Sequence, residues 1–502
     1  MGRHSHVTEG KELTIFQKPT RRQFIKHAAT AGIALAVPRP SFAIGRTSEI
    51  NPVDIKSLGS HLKGQLLLPD DSSYDIARHV VSWNSTTDKR PALIARCTCT
   101  EDIQRCIEFA HQQNILVAVR SGGHSVLAWG ICEGGLVIDV SPLKSVSIDH
   151  NKRTVRTGAG LTASELVLAA SQHGLAPVLG ECPTVGISGL TLGGGLGWLS
   201  GRYGGACDNL LSAQLITASG DLVVTSPTDN PDLFWAIRGG GGNFGIATML
   251  EYRLHPVKEV FAGGIKYRFS DARKVLRFYN DFMANAPDEL QALAYLPGVD
   301  EQSLNLIICY SGGLKEAEKL VRPLRQFAPP IRDTLAVRPF PETFTMPLYN
   351  EGIGRVFKAA KNCSVERLSD ELVDVVIDRY AAAPHRGCTI GLDHYMHGAV
   401  CRVSRDSTAF EFRDASVLHV WNTSKWDDQG IANASMEWVN TCWQALQPFS
   451  GGRVYANYLS VEGEQAVKGA FGANYPRLRT IKGKYDPKNF FSLNPNIRPA
   501  TS

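Results

Sequence analysis

Glycine in this chain is gathered into three short runs, and their placement restricts the possible folds more than any other feature. The first, Arg120-Ser121-Gly122-Gly123-His124-Ser125, ends an apolar stretch from Ile115 to Val119 that reads as a buried strand. The second runs from Gly180-Glu181-Cys182-Pro183-Thr184-Val185-Gly186-Ile187-Ser188-Gly189 to Gly193-Gly194-Gly195-Leu196-Gly197-Trp198. The third, Arg238-Gly239-Gly240-Gly241-Gly242-Asn243-Phe244-Gly245-Ile246, opens another strand. A strand that stops in such a turn exposes consecutive backbone N–H groups, a nest that suits pyrophosphate oxygens, and glycine lets a large flat ligand lie against the main chain. Alone, the first run is equally a plain glycine turn with a surface histidine. A Rossmann unit requires strand–GxGxxG–helix with a later acid, and no run supplies it, so a nucleotide would be held by loops.

Between the runs, strand and helix patterns alternate. Arg90–Ala95, Ile115–Val119, Gly135–Asp139 and Thr154–Gly158 read as strands. Thr100 is placed to cap a helix with apolar positions Ile103, Cys106, Ile107 and Ala110, and Thr162 to start another that ends near Gly174. This is a mixed α/β unit with short connections. Beyond Pro256 the glycine runs stop. Strand-like pieces (Gly264–Phe269, Leu304–Tyr310, Gly387–Tyr395) then alternate with long amphipathic helices, the pattern of a second domain that shapes a substrate pocket. From Arg453 the chain is again dense in motifs: Tyr455-Ala456-Asn457-Tyr458, Lys484-Tyr485-Asp486-Pro487-Lys488-Asn489-Phe490-Phe491 and Asn494-Pro495-Asn496-Ile497. The expected division is a leader over 1–43, a loose segment over 44–80, a first domain over 81–258, a substrate domain over 259–452, and a tail over 453–502 that completes the first domain.

The formal charge of +5 invites a nucleic-acid reading until its location is considered. Residues 1–43 hold seven Lys/Arg and two Asp/Glu, which leaves 46 of each sign in the rest of the chain. A neutral body lacks the concentrated cations that phosphate-backbone binding needs. The basicity belongs to a segment with the secretory pattern: paired Arg21-Arg22, an apolar stretch Ala28–Val37, and small residues up to Ala43. The paired arginines resemble a twin-arginine signal, which predicts use of the export machinery, cleavage near Ala43 and a secreted or periplasmic product. No later stretch approaches the ~20 apolar residues of a membrane span. Among the 11 cysteines no C-x-x-C pair occurs, so zinc-ribbon and thioredoxin readings lose support. His394 and His397, three apart in an expected strand, point to opposite faces, and no metal site is expected. Lys482, Lys484 and Lys488 read as a solvated face.

Taken in order, Arg-Ser-Gly-Gly-His-Ser, Cys-Pro-Thr-Val-Gly, Arg-Gly-Gly-Gly-Gly-Asn-Phe-Gly, Tyr-x-Asn-Tyr and Tyr-Asp-Pro-x-Asn-Phe-Phe resemble the berberine-bridge-enzyme-like FAD-linked oxidases. The resemblance covers most of residues 80–258 and 453–498, and the central region matches loosely through Gly398-Ala399-Val400 and Phe410-Glu411-Phe412-Arg413. It implies an α+β fold of the vanillyl-alcohol-oxidase kind: a two-part PCMH-type FAD-binding domain plus a substrate domain with a large antiparallel sheet covered by helices. It places His124 at the flavin 8α carbon and Cys182 at C6, hence bicovalent FAD. It places Tyr458 above the flavin as a participant in substrate deprotonation, with a helper from the substrate domain for which His394, His397, His419 and Lys425 are candidates. Val185 falls where side-chain bulk gates oxygen. Cofactor contacts are expected from Arg120, Ser121, Gly122, Gly123, Ser125, Thr184, Gly186, Ile187, Gly189, Gly194, Gly245, Ile246, Asn457 and Asn494. The implied activity is oxidation of a hydroxyl-bearing small molecule with dioxygen as acceptor. The alternatives are a dehydrogenase using another acceptor and a flavin-loaded binding protein without turnover.

Overall fold

Apolar runs bounded by turn residues become the buried strands. The computed structural model describes residues 50–346, 356–415, 417–461 and 463–500; the leader expected over 1–43 lies outside the described residues. Strands β1 (Gln65–Leu67), β2 (Leu93–Arg96), β3 (Val117–Arg120) and β4 (Leu136–Asp139) form a sheet in the order β1-β2-β4-β3. β2 and β3 pair β4 in parallel, the arrangement in which strands are covered on both faces and read as continuous Val, Ile and Leu. Helix Thr100–Gln113 packs on it through Ile103, Cys106, Ile107 and Ala110. Thr100 does not cap that helix. Cys99 holds the cap position without a side-chain hydrogen bond, and the Asp102 carboxylate accepts from the amides of Lys63, Gly64 and Thr98. Thr162, in contrast, closes a full capping box with Glu165 at the start of helix Ala163–Ser171.

A second, antiparallel sheet contains β5 (Val146–Asp149), β6 (Thr154–Gly158), β7 (Leu210–Ile216), β8 (Leu222–Thr225) and β9 (Ile246–Arg253) in the order β5-β6-β9-β7-β8. The third sheet holds β10 (Glu259–Arg268), β11 (Leu290–Leu296), β12 (Ser303–Tyr310), β13 (Arg332–Asp333), β14 (Ala336–Pro339), β15 (Phe357–Val365), β16 (Cys388–Asp393) and β17 (Leu418–Trp426). Its order is β13-β10-β12-β11-β16-β17-β15, with β14 also on β10, and all its pairs are antiparallel. Helices Ala272–Ala284, Leu314–Phe327, Asp370–Ala381 and Ala432–Leu446 cover one face, where Leu276, Val321, Val376 and Trp438 share a core with Ala292, Ile308 and Val420.

Strand alternation turns the other face toward the second sheet. Leu293, Ile307 and Cys309 join the core that contains Leu215, Leu250 and Tyr252. Register places Leu293 opposite Asp393, Asp393 opposite His419 and Gly391 opposite Trp421, so Asp393, His419 and Trp421 share this second face. His394 and His397 are not part of the strand: they lie past the end of β16, and their rings are 6.2 Å apart rather than on opposite faces. Among the described residues no group of three or more His, Cys, Asp or Glu is arranged to hold a metal ion.

The tail packs back on the third glycine run, and one expectation fails there. Lys482 is not on a solvated face; it is fully buried on the inner side of helix Tyr475–Tyr485. Its Nζ donates to Asp486 Oδ2 at 2.6 Å, to the Asn243 carbonyl at 2.7 Å and to the Phe491 carbonyl at 3.0 Å, which uses all three ammonium protons. Asp486 also accepts from the amides of Phe490 and Phe491. A buried ion pair persists only when satisfied in this way. Lys484 pairs with Asp232 at the surface, and Lys488 is exposed.

Candidate active site

Two loops meet first. The turn after β3 and the loop before helix Ile187–Leu192 press together so closely that a Cβ on Gly122 would overlap the Gly186 nitrogen, and one on Gly186 would overlap the Ser121 hydroxyl. Those two glycines therefore serve contact between loops, not only approach of a ligand. The contact puts His124 and Cys182 on one side chain: Thr184 Oγ1 lies 2.9 Å from His124 Nε2 and 3.8 Å from Cys182 Sγ. His124, Cys182, Thr184 and Val185 are all partly exposed. Gly123 adopts φ +69°, a left-handed conformation that favours glycine, and so turns His124 away from the strand.

Other expected contacts have protein partners. The Arg120 guanidinium holds Asp139 at 2.7 Å and the Ala77 carbonyl. Ser121 donates to the Ala159 carbonyl at 3.1 Å, and Ser125 Oγ accepts from the Trp129 amide at 3.4 Å. Ile187 and Ile246 are core residues, Gly194 accommodates the rings of Phe410 and Tyr455, and Gly245 lies against the Ile216 carbonyl. Asn457 Nδ2 donates to the Leu190 carbonyl at 2.9 Å and to the Tyr455 hydroxyl at 2.7 Å, while that hydroxyl accepts from the Gly195 amide at 2.7 Å. The Tyr-x-Asn-Tyr motif thus clamps the second glycine run and leaves its last member, Tyr458, to face the third sheet.

Tyr458 Oη donates to Asp393 Oδ2 at 3.5 Å, and its carbonyl accepts from Asn362 Nδ2 at 3.1 Å. Trp421 Nε1 donates to Asp393 Oδ1 at 2.9 Å. The indole reaches that point only because its cross-strand partner is Gly391, where any Cβ would overlap it. Burial, then the charges of Asp393 and Glu181, push the Tyr458 phenol well above its ordinary range. Burial and the Glu181 charge likewise push the Asp393 carboxyl well above the usual carboxylate range.

The expected helpers stand elsewhere. His419 packs edge-on against Tyr458 at 5.0 Å, but burial lowers it to about 3, and its Nδ1 meets Ser364 Oγ at 3.1 Å; it is a neutral ring. Lys425 lies six residues further along β17, about 20 Å away at strand spacing. His394, lowered to about 4 by burial first, packs against Tyr279 and His397. The group at the phenol is Asp393, missed because its partner arrives in a tail turn 65 residues further along the chain. The signal in the sequence was an unexplained acid at the end of an apolar strand.

The site fits a flavin. An imidazole nitrogen and a thiol sulfur sit on one hydroxyl with partial exposure. A Cβ at Gly189 or Gly242 would meet nothing, so there is open space at both glycine runs. Asn494, whose Nδ2 donates to the Gly242 carbonyl at 3.3 Å, has its Oδ1 buried without a hydrogen-bond partner. Among the described residues no helix is long and apolar enough to cross a membrane.

Comparison with known proteins agrees with this geometry. An FAD binding domain model matches residues 91–226, and a "Berberine and berberine like" model matches residues 454–498. The chain is 30% identical over 457 residues to (R)-6-hydroxynicotine oxidase of Paenarthrobacter nicotinovorans, covering 88% of this chain and 98% of the relative. It is 29% identical over 456 residues to glucooligosaccharide oxidase of Sarocladium strictum, covering 83% of this chain and 89% of the relative. The crystal structure of 6-hydroxy-D-nicotine oxidase from Arthrobacter nicotinovorans superposes with a TM-score of 0.79 at 29% identity, over 88% of this chain and 98% of that one. The chain belongs to the berberine-bridge-enzyme-like FAD-linked oxidases, with the PCMH-type fold, and is an FAD-dependent oxidoreductase of the oxidase kind.

Proposed function

We propose that this protein is an exported oxidase of a sugar or other hydroxyl-bearing small molecule, with FAD attached through both His124 and Cys182. The carrying observation is that Thr184 gathers His124 and Cys182 on the glycine loops while Tyr458 and Asp393 meet at the adjoining sheet face. Bound there, the flavin supplies a hydride acceptor that dioxygen restores with release of hydrogen peroxide. The residues' part is to hold and move a proton. Tyr458 Oη takes the proton of the substrate hydroxyl as its own passes to Asp393 Oδ2, so the phenol stays neutral and the pair gains one proton, held as the neutral Asp393 carboxyl. Trp421 keeps Asp393 aimed at the phenol, and Asn362 fixes the backbone of Tyr458. Val185, partly exposed beside Cys182, is the side chain that bears on oxygen access. The working division of the chain is a flavin domain over 81–258 and 453–502 and a substrate domain over 259–452. A twin-arginine leader over 1–43 would export it after the cofactor is loaded.

The test is a panel of oligosaccharides and primary, benzylic and allylic alcohols, assayed for oxygen uptake and peroxide. At least one should give stoichiometric peroxide in wild type and almost none in Tyr458→Phe. Reduction by a panel member with no oxygen uptake would move the assignment to a dehydrogenase.

A further inference from the structure

The Asp393–Tyr458 pair has an acidic neighbour that none of the expected roles assigned. Glu181 directly precedes Cys182, is only 8% exposed, and accepts a hydrogen bond from Tyr395 Oη at 2.6 Å. Tyr395 is wholly buried two residues beyond Asp393. The loop that carries the cysteine is therefore tied to the end of β16 by a carboxylate that acts on both members of the pair.

Other groups around Asp393 and Tyr458 are accounted for. The Tyr279 hydroxyl donates to the Ala292 carbonyl at 3.0 Å. The Tyr455 hydroxyl is held by Gly195 and Asn457, and His419 and His394 are neutral. Trp421 contributes a hydrogen bond without charge, and the Cys182 thiol lies at Thr184. Glu181 is the neighbour whose charge can vary how strongly the pair holds a proton. Like charges sharing a buried site resist joint ionisation.

We infer that Glu181 is a positioning residue for proton transfer: held by Tyr395, its carboxylate makes Asp393 a stronger acceptor for the proton that leaves Tyr458. This rests on the base assignment given above. The transfer itself is balanced, with the proton passing from Tyr458 Oη to Asp393 Oδ2 as the substrate's hydroxyl proton replaces it. Removing the Glu181 charge makes Asp393 ionise at lower pH and accept that proton less readily.

The experiment needs no substrate. FAD-loaded protein carrying tyrosine labelled with carbon-13 at Cζ is titrated by NMR between about pH 4 and pH 10, a range that spans the raised carboxyl ionisation and stops short of the Tyr458 phenol. The Tyr458 signal is assigned by its loss in Tyr458→Phe, and the Asp393 inflection by its loss in Asp393→Asn. In Glu181→Gln, which keeps the volume and an acceptor for Tyr395, that inflection should move down by about one pH unit. Glu181→Asp, which keeps the charge, should leave it near wild type. An inflection unmoved in Glu181→Gln, or moved equally by both substitutions, overturns the inference. If Glu181→Gln does not fold, Glu181→Met is read in its place by the same criterion. Failure of the base assignment shows separately, as undiminished peroxide release in Tyr458→Phe.

Discussion

The glycine loops and the third sheet bring side chains together by opposite means. In the loops, function follows from local backbone: Gly122 against Gly186 brings His124 and Cys182 to Thr184, and each step is written in adjacent residues. On the sheet, nothing local marks the chemistry. Asp393 meets Tyr458 because β16 pairs with β17, because Gly391 lets the Trp421 indole cross, and because the tail motif returns from 65 residues away. A close backbone approach restricts residue type strongly, whereas a cross-strand contact accepts many residues and leaves little trace in one sequence.

The largest effect should come from breaking the sheet side alone. Tyr458→Phe removes the proton acceptor and should slow substrate oxidation by about 10²–10⁴-fold, with flavin content unchanged. Steady-state peroxide assays beside a flavin absorbance spectrum separate those quantities. Loss of flavin in that variant would show that the two regions are not independent.

Next is the tail that joins them. Lys482→Ala leaves Asp486 buried and unpaired, a change that costs about 3–5 kcal/mol, whereas Lys488→Ala should barely alter the melting temperature. Thermal unfolding of the two variants side by side decides this. Equal melting temperatures would contradict the buried-pair account.

How much was legible divides along the same line. The PCMH-type fold and the glycine loops could be read because glycine at a close backbone approach, and a motif that clamps it, are restricted by their neighbours. Lys482 was misread because its three partners come from Asn243, Asp486 and Phe491, and helical spacing alone did not mark its side as inward. Asp393 closed an expected strand whose neighbouring histidines, rather than the acid, stood as candidate helpers. The histidines near it suggested a charged helper, but burial makes His394 and His419 neutral.

A smaller effect sharpens the sheet's side of the comparison. Gly391→Ala should displace the Trp421 indole at a cost of about 1–3 kcal/mol and lower the oxidation rate without touching the covalent site. Rate and melting temperature in this variant should fall together, and a normal rate would show that Trp421 does not aim Asp393.

The smallest is a pH effect. Asp393 accepts a proton only as the anion, and burial with the Glu181 charge raises its folded-state ionisation. Oxidation should therefore fall as pH drops through that raised value and recover above it. A rate profile flat across the acid side would remove Asp393 from the relay.

The claim on which the rest depends is that one flavin is fixed at both His124 and Cys182. Purified wild type, His124→Ala, Cys182→Ala and the double variant should each be denatured in acid and examined by visible absorbance and intact mass. The account predicts a yellow chain heavier by one FAD in wild type and in each single variant, and a colourless chain of unmodified mass in the double. Flavin that separates from the denatured wild-type chain would contradict it.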